Sequence, residues 1–264
     1  MKKYEGEAAM STTNFSLSGK VALVTGARQG IGKTISLALA EAGADVAICD
    51  LVADDYQLNA VAQEIQKLGQ RALTVQADTS QKEDVDRMVQ KVMDQYGCID
   101  ILVNNAGILI RAPILDMPEK DWDRLFDVDL KGYFLCAQAV SRKMVERKKG
   151  VIVNIASQFA FTVDTGMGAY SVAKAGVVML TRVLAHELGR LGIRANCVAP
   201  ALVRTEFSRH AWGDAETLRQ VETSLPLGRV AETTDLVGAV LLLASDASSY
   251  ITGHTILVDG GALA

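Results

Sequence analysis

A chain of 264 residues with an ordinary apolar fraction of 49% is long enough to bury a substantial core, and it suits one α/β domain better than two. A net charge of −4 leaves no basic footprint for nucleic acid or an anionic membrane surface, and no apolar run approaches the ~18 residues of a membrane span. Three scattered histidines (His186, His210, His254) argue against a metal site; four cysteines without paired spacing (Cys49, Cys98, Cys136, Cys197) point to free thiols in a reducing, cytoplasmic compartment.

Residues 1–15 are polar, mixed in charge and without the apolar centre of a signal peptide, so they are expected to form a flexible extension ahead of a domain spanning 16–264. From there, short β-branched runs alternate with amphipathic segments. Strands are predicted over 20–25, 45–49, 72–76, 100–104, 151–155, 194–198 and 255–258. Helices are predicted over 30–42, 53–68, 81–96, 119–146, 168–191 and 233–244. Such alternation implies right-handed crossovers and a parallel sheet covered on both faces, a doubly wound (Rossmann) α/β arrangement. The stretch 201–229 is too long for an ordinary connection and is a candidate substrate lid.

Directly after the first strand comes Thr25-Gly26-Ala27-Arg28-Gln29-Gly30-Ile31-Gly32, opening a helix. Glycines there permit a tight turn and close approach of backbone to a pyrophosphate, which the helix N-terminus attracts. Asp50, with Leu51 beside it, ends the second strand twenty residues beyond Gly30. Its carboxylate suits both adenosine ribose hydroxyls and repels a 2′-phosphate, although Arg28 offsets some of that repulsion. NAD is therefore expected in preference to NADP. Ala77-Asp78-Thr79 and Asn104-Asn105-Ala106-Gly107 follow the third and fourth strands, at the carboxyl edge where ligands bind; Asp78 is a candidate for the adenine edge.

Tyr170 and Lys174 stand four residues apart on a predicted helix, hence on one face. A phenol has an ordinary pKa of about 10, and an ammonium one turn away draws it toward the range of efficient general acid–base chemistry. Ser157, at the end of the fifth predicted strand, is placed to hold a substrate oxygen. Pocket-lining candidates are Arg111, Gln158, Phe159, Arg204, Arg209 and His210; the three arginines and the histidine either meet a carboxylate or hydroxyl-rich substrate or are solvated.

Taken together, these motifs resemble the short-chain dehydrogenase/reductase family from about Leu17 to the C-terminus, including Pro200 near Thr205 and the closing Tyr250-Ile251-Thr252-Gly253 and Val258-Asp259-Gly260-Gly261. The resemblance implies a seven-stranded sheet and nicotinamide-dependent interconversion of an alcohol and a carbonyl. It assigns the acid/base to Tyr170, the substrate oxygen to Ser157, and the nicotinamide ribose and a lowered tyrosine pKa to Lys174. The nicotinamide amide falls to Pro200, Val203 and Thr205. It further implies a homotetramer paired through the predicted helices that carry Gly132 to Val140 and Ala175 to Leu184. Asp129 stands where the family usually has an asparagine thought to support a proton relay, and is expected to relay protons at a shifted pH optimum. Locally the chain is similar to NAD-dependent polyol, sugar and sugar-acid dehydrogenases, and also to 3-oxoacyl-thioester reductases. The small-molecule substrate is thus expected to be a polar secondary alcohol or its ketone, the thioester being the alternative. A nucleotide-binding sensor or assembly subunit without turnover is a reading of another class.

Overall fold

The computed structural model describes residues 14–52 and 56–264, with the side chain of His210 excepted. The extension expected at 1–15, but for its last two residues, and the helix start expected at 53 lie outside these described residues.

Among the described residues, seven strands form one parallel sheet: β1 (Val21–Thr25), β2 (Asp45–Asp50), β3 (Ala72–Gln76), β4 (Ile101–Asn104), β5 (Gly150–Ile155), β6 (Ile193–Pro200) and β7 (Thr255–Val258). Their spatial order is β3-β2-β1-β4-β5-β6-β7, and every neighbouring pair is parallel. The order reverses between β1 and β4, so a crevice opens beyond their carboxyl ends.

The strands are apolar on both sides because both sides are covered. Ala22, Val24, Val46, Ile48 and Val103 pack beneath α1 (Gly30–Glu41), α2 (Gln57–Lys67) and α9 (Val237–Ala244). Val21, Leu23, Cys49, Leu102 and Ile152 face the other way, toward α3 (Lys82–Tyr96) and α5 (Gly132–Arg147). A third cluster, holding Ala156, Cys197 and Ala199, lies under Tyr133 of α5 and Val177 and Val178 of α6 (Gly168–Leu188).

Three helices depart from the periodicity. The stretch expected as one helix over 119–146 is α4 (Glu119–Phe126), a π turn (Asp127–Lys131) and then α5. The Gly132 N–H bonds the Asp127 carbonyl five residues back. One extra residue per turn rotates the chain without changing its composition, and it delivers Asp129 to the interior with no exposed surface. The helix expected to reach 191 ends as α6 at Leu188 and tightens into a 3₁₀ turn over Gly189–Leu191. That expected over 233–244 begins with a 3₁₀ turn, Thr233–Leu236, capped by Glu232 and Asp235, before α9. The stretch 201–229 holds a 3₁₀ turn (Glu206–Ser208), α7 (Arg209–Trp212) and α8 (Ala215–Ser224), the last capped by the Asp214 carboxylate on the Thr217 N–H. No helix among the described residues is long and apolar enough to cross a membrane.

Candidate active site

The crevice is built first from backbone. Thr25 ends β1, and its hydroxyl accepts from the N–H groups of Asn105 (3.0 Å) and Ala106 (3.1 Å). The Asn105 amide returns hydrogen bonds to the carbonyls of Thr25 (3.0 Å) and Gly26 (2.9 Å). The loops after β1 and β4 are thereby clamped edge to edge. Only residues without a Cβ fit the clamp: one added at Gly32 would lie 2.1 Å from the Gly26 carbonyl oxygen, and one at Gly26 would lie 2.8 Å from the Ala106 Cα. The result is a shallow cradle ending on the N-terminus of α1, where backbone donors and positive potential converge.

Asp50 ends β2 at one side of the cradle. Its carboxylate accepts from the N–H groups of Arg28 (3.3 Å) and Val52 (3.2 Å), and the Arg28 Nε lies 3.7 Å from it. Gly26, Arg28, Gln29, Gly30, Ile31 and Asp50 line one end of a cavity of about 860 Å³. Asn105, Ala106, Gly107, Pro200, Val203 and Thr205 line its middle. Leu51, Ala77, Asp78 and Thr79 are not in its walls. Asp78 accepts instead from the Ser80 N–H (2.9 Å) and hydroxyl (2.7 Å), a cap on the turn into α3, and Thr79 is buried.

The chemistry-bearing side chains meet at the other end. Tyr170 and Lys174 project from α6, Ser157 follows β5, and Asp129 comes from the π turn; all four line the cavity and are nearly inaccessible. Lys174 Nζ stands 3.1 Å from Asp129 Oδ2 and 5.5 Å from the centre of the Tyr170 ring. The other Asp129 oxygen accepts from the Ile108 N–H at 2.8 Å. Ser157 accepts from the Phe159 N–H at 3.2 Å, and the Phe159 ring meets the Tyr170 ring edge-on at 6.4 Å.

The electrostatics differ from the expectation drawn from spacing alone. Burial pushes the Tyr170 phenol up; Lys174 pulls it down, Asp129 raises it again, and the Ser157 hydroxyl lowers it, leaving it above its ordinary value. A sequence shows the ammonium one turn away but not the desolvation that outweighs it. Burial opposes the Lys174 ammonium, yet Asp129 and the phenols Tyr133 and Tyr170 overcome it and hold Lys174 well above its ordinary value. Burial also raises Asp129, with Lys174 and the Ile108 N–H offsetting part of the effect.

Asp129 thus acts on the phenol with a definite sign. Asp129→Asn removes a charge that raises Tyr170, so the acidic limb of an alcohol-oxidation pH profile should move to lower pH. The same change lowers Lys174. Because Lys174 is held above its unfolded value, its stabilising contribution is fully present below about pH 10 and is lost only as pH rises through the folded value; part of it disappears in the variant at neutral pH. A pH–rate profile that coincides with the wild type would show the carboxylate to be silent.

Of the expected pocket residues, Arg111, Gln158 and Phe159 line the cavity. Arg204 and Arg209 do not. Arg204 is 3.0 Å from Glu232 and 4.0 Å from Glu222 and lies over the Trp212 ring, while Arg209 pairs with Glu206 at 3.3 Å. The His210 side chain lies outside the described residues. Leu109, beside Arg111, and Phe207, Val221 and Leu225 of the 201–229 stretch also wall the cavity, as do Met167 and Leu263, which come from separate segments with no local pattern to mark them. Among the described residues, no group of three or more His, Cys, Asp or Glu is placed to hold a metal ion.

A family model described as enoyl-(acyl carrier protein) reductase matches residues 26–262. The (2S)-[(R)-hydroxy(phenyl)methyl]succinyl-CoA dehydrogenase subunit BbsD of Thauera aromatica is 44% identical over 93% of this chain and 97% of its own. The 3-oxoacyl-[acyl-carrier-protein] reductase FabG of Staphylococcus epidermidis is 39% identical over 92% and 98%. Among solved structures, a short-chain type dehydrogenase/reductase from Mycobacterium marinum superposes with a TM-score of 0.90 at 41% identity, covering 95% of this chain and 98% of the other. A gluconate 5-dehydrogenase from Burkholderia cenocepacia J2315, solved with NADP and tartrate, superposes with a TM-score of 0.90 at 37% identity over 95% and 97%.

Proposed function

The chain belongs to the short-chain dehydrogenase/reductase family and is an oxidoreductase of that family, and from that premise we propose that it interconverts a secondary alcohol and a ketone with NAD(H) at the Ser157–Tyr170–Lys174 cluster. The observation that carries this reading is that the cluster and the glycine cradle line one continuous cavity. The cradle fits a dinucleotide: its walls leave no room for a Cβ at Gly26 or Gly32, as close backbone approach to a pyrophosphate requires. Residues Gly26 to Gly32 and Asp50 would hold its adenosine half; Asn105 to Gly107, Lys174, Pro200, Val203 and Thr205 would hold the nicotinamide half. When bound, the nicotinamide ring supplies the hydride acceptor or donor.

For alcohol oxidation, Ser157 donates a hydrogen bond to the substrate oxygen and fixes it beside Tyr170. Ionised Tyr170 takes the hydroxyl proton as the carbinol C–H leaves as hydride and the C=O bond forms; reduction is the reverse, with Tyr170 giving the proton. Lys174 stabilises the phenolate, and Asp129 balances the ammonium and carries protons away from the pair. The apolar ring of Phe159, Met167 and Phe207 around Tyr170 excludes water from the transfer.

NAD is preferred on the strength of Asp50, although the gluconate 5-dehydrogenase was solved with NADP. A 2′-phosphate would face a carboxylate that Arg28 only partly offsets. Asp50→Gly should shift the ratio of kcat/KM values toward NADP by about tenfold or more, since each tenfold needs about 1.4 kcal/mol of relieved repulsion. A wild-type enzyme already faster with NADP contradicts the assignment.

Beside the cradle and the cluster, the cavity is lined by apolar Leu109, Met167, Phe207, Val221, Leu225 and Leu263 and by polar or charged Arg111, Thr162, Asp164, Glu206, Thr217 and Ser224. The apolar members suit a 3-hydroxyacyl or 3-oxoacyl thioester, or a similar apolar secondary alcohol with a remote anionic group. The polar members, Arg111 and Gln158 among them, suit a sugar acid or polyol. The short helices of 201–229 act as the lid over either. NADH formation across polyols, aldonates and 3-hydroxyacyl-CoA compounds tests both readings, whereas tight NADH binding with no turnover would leave a nucleotide-binding sensor. We further place the enzyme in the cytoplasm, on its four free thiols. It is a homotetramer in this reading, with exposed Phe134 of α5 and Val172, Met179 and Val183 of α6 as the pairing face.

A further inference from the structure

Lys174 meets a second phenol that the chemistry above does not use. Tyr133, in the first turn of α5, is among the largest fully buried side chains. Its hydroxyl stands 2.9 Å from the Ile155 carbonyl oxygen and 3.2 Å from Lys174 Nζ. A carbonyl only accepts and an ammonium only donates, so the single phenolic proton goes to Ile155 and a lone pair faces Lys174. The Tyr133 ring lies 4.8 Å from the same Nζ, within cation–π range. We infer that Tyr133 is a positioning residue for Lys174: its carbonyl-anchored hydroxyl and its ring hold the ammonium beneath Tyr170 and so set the field in which Tyr170 ionises. The inference deepens the proposed function and rests on Tyr170 being the acid/base.

The ammonium has three N–H donors. The Tyr133 hydroxyl accepts one at 3.2 Å and the Ile155 carbonyl another at 3.4 Å, while Asp129 Oδ2 stands 3.1 Å away as an ion-pair partner. With Asp129 alone, the ammonium would be drawn to the π turn and away from Tyr170. Tyr133 pulls from α5 and holds it between the two. The titratable groups facing Lys174 are Asp129 from the π turn, Tyr133 from α5, Tyr170 from α6 and Cys197 from β6. Burial pushes the Cys197 thiol up to about 12 and Tyr133 well above its ordinary value, so both stay neutral while Tyr170 works. Tyr133 is therefore a fixed dipole and not a second acid.

Tyr133→Phe removes one oxygen and keeps the ring. Two readouts are compared with the wild type: the pH profile of kcat for the best alcohol found, and the ionisation of Tyr170 followed by ultraviolet difference absorbance against matched proteins carrying Tyr170→Phe. The expected result is that both midpoints rise by about 0.5–1 pH unit, because a less constrained ammonium stabilises the phenolate less, with the alcohol KM nearly unchanged and kcat lower at neutral pH. Thr181→Val is the control: its hydroxyl bonds the Val177 carbonyl and accepts from Asn154, so it loses comparable buried hydrogen bonds without touching Lys174. It should lower Tm and leave both midpoints in place. A Tyr133→Phe protein that, like the control, loses thermal stability while both midpoints match the wild type overturns the inference. The spectroscopic titration needs no turnover, so an inactive wild type would count against the proposed reaction and still report on Tyr133.

Discussion

Tyr170→Phe should lower kcat for alcohol oxidation by about 10²–10⁴-fold, the usual worth of a positioned general acid–base group, while NADH binding stays within a few-fold of the wild type. The ring remains between Phe159 and Phe207, each 6.4 Å away between centroids, so the packing of the pocket is kept and only the proton-carrying oxygen is lost. An effect confined to kcat would place the phenol in the transition state and not in ground-state binding. NADH fluorescence titration and steady-state rates on the same preparation separate the two. Activity near wild type would remove Tyr170 from the mechanism.

Gly32→Ala should weaken NADH binding by about 100-fold, equivalent to roughly 2.8 kcal/mol, and lower Tm as well. The new Cβ would meet the Gly26 oxygen at 2.1 Å and the Asn105 side-chain nitrogen at 2.5 Å. Neither can yield cheaply: Gly26 is backbone, and Asn105 is held by the carbonyls of Thr25 and Gly26. Either the first turn of α1 shifts or the clamp between the two loops opens, and both displace the amides that face the ligand. Overpacking of this kind costs about 1–3 kcal/mol in stability. Gly238→Ala in α9, where an added Cβ meets nothing, is the matched control and should leave both quantities at or above wild type. Unaltered NADH affinity in Gly32→Ala would mean that the dinucleotide lies elsewhere.

The sheet was legible because its strands are buried on both faces: runs such as Val21 to Val24 and Val46 to Cys49 carry no polar side chain. The cradle was legible for a related reason, since glycine spacing between a strand and a helix reflects a steric demand that sequence records directly. Burial and charge balance around the site were not. Tyr170 and Lys174 four residues apart predict a lowered phenol; the structure adds desolvation and Asp129, which reverse the net direction. The π turn left no trace in the periodicity, because inserting one residue into a turn alters phase and not composition. Tyr133 read as one more apolar helix position. Sequence leaves Arg204 and Arg209 open between substrate and solvent, because Glu232 and Glu222 are remote in sequence from Arg204 and an i,i+3 pair such as Glu206 and Arg209 does not by itself exclude a ligand role.

The most direct test of the account is isotope transfer from a secondary alcohol deuterated at its carbinol carbon. The enzyme is incubated with NAD and such alcohols, the NADH recovered, and its nicotinamide ring assayed for deuterium by mass spectrometry. The account predicts deuterium in the NADH, a matching yield of ketone, and formation of both slowed about 100-fold or more with Tyr170→Phe. Binding of NAD and of the alcohol without deuterium transfer, or equal transfer by Tyr170→Phe, would contradict it.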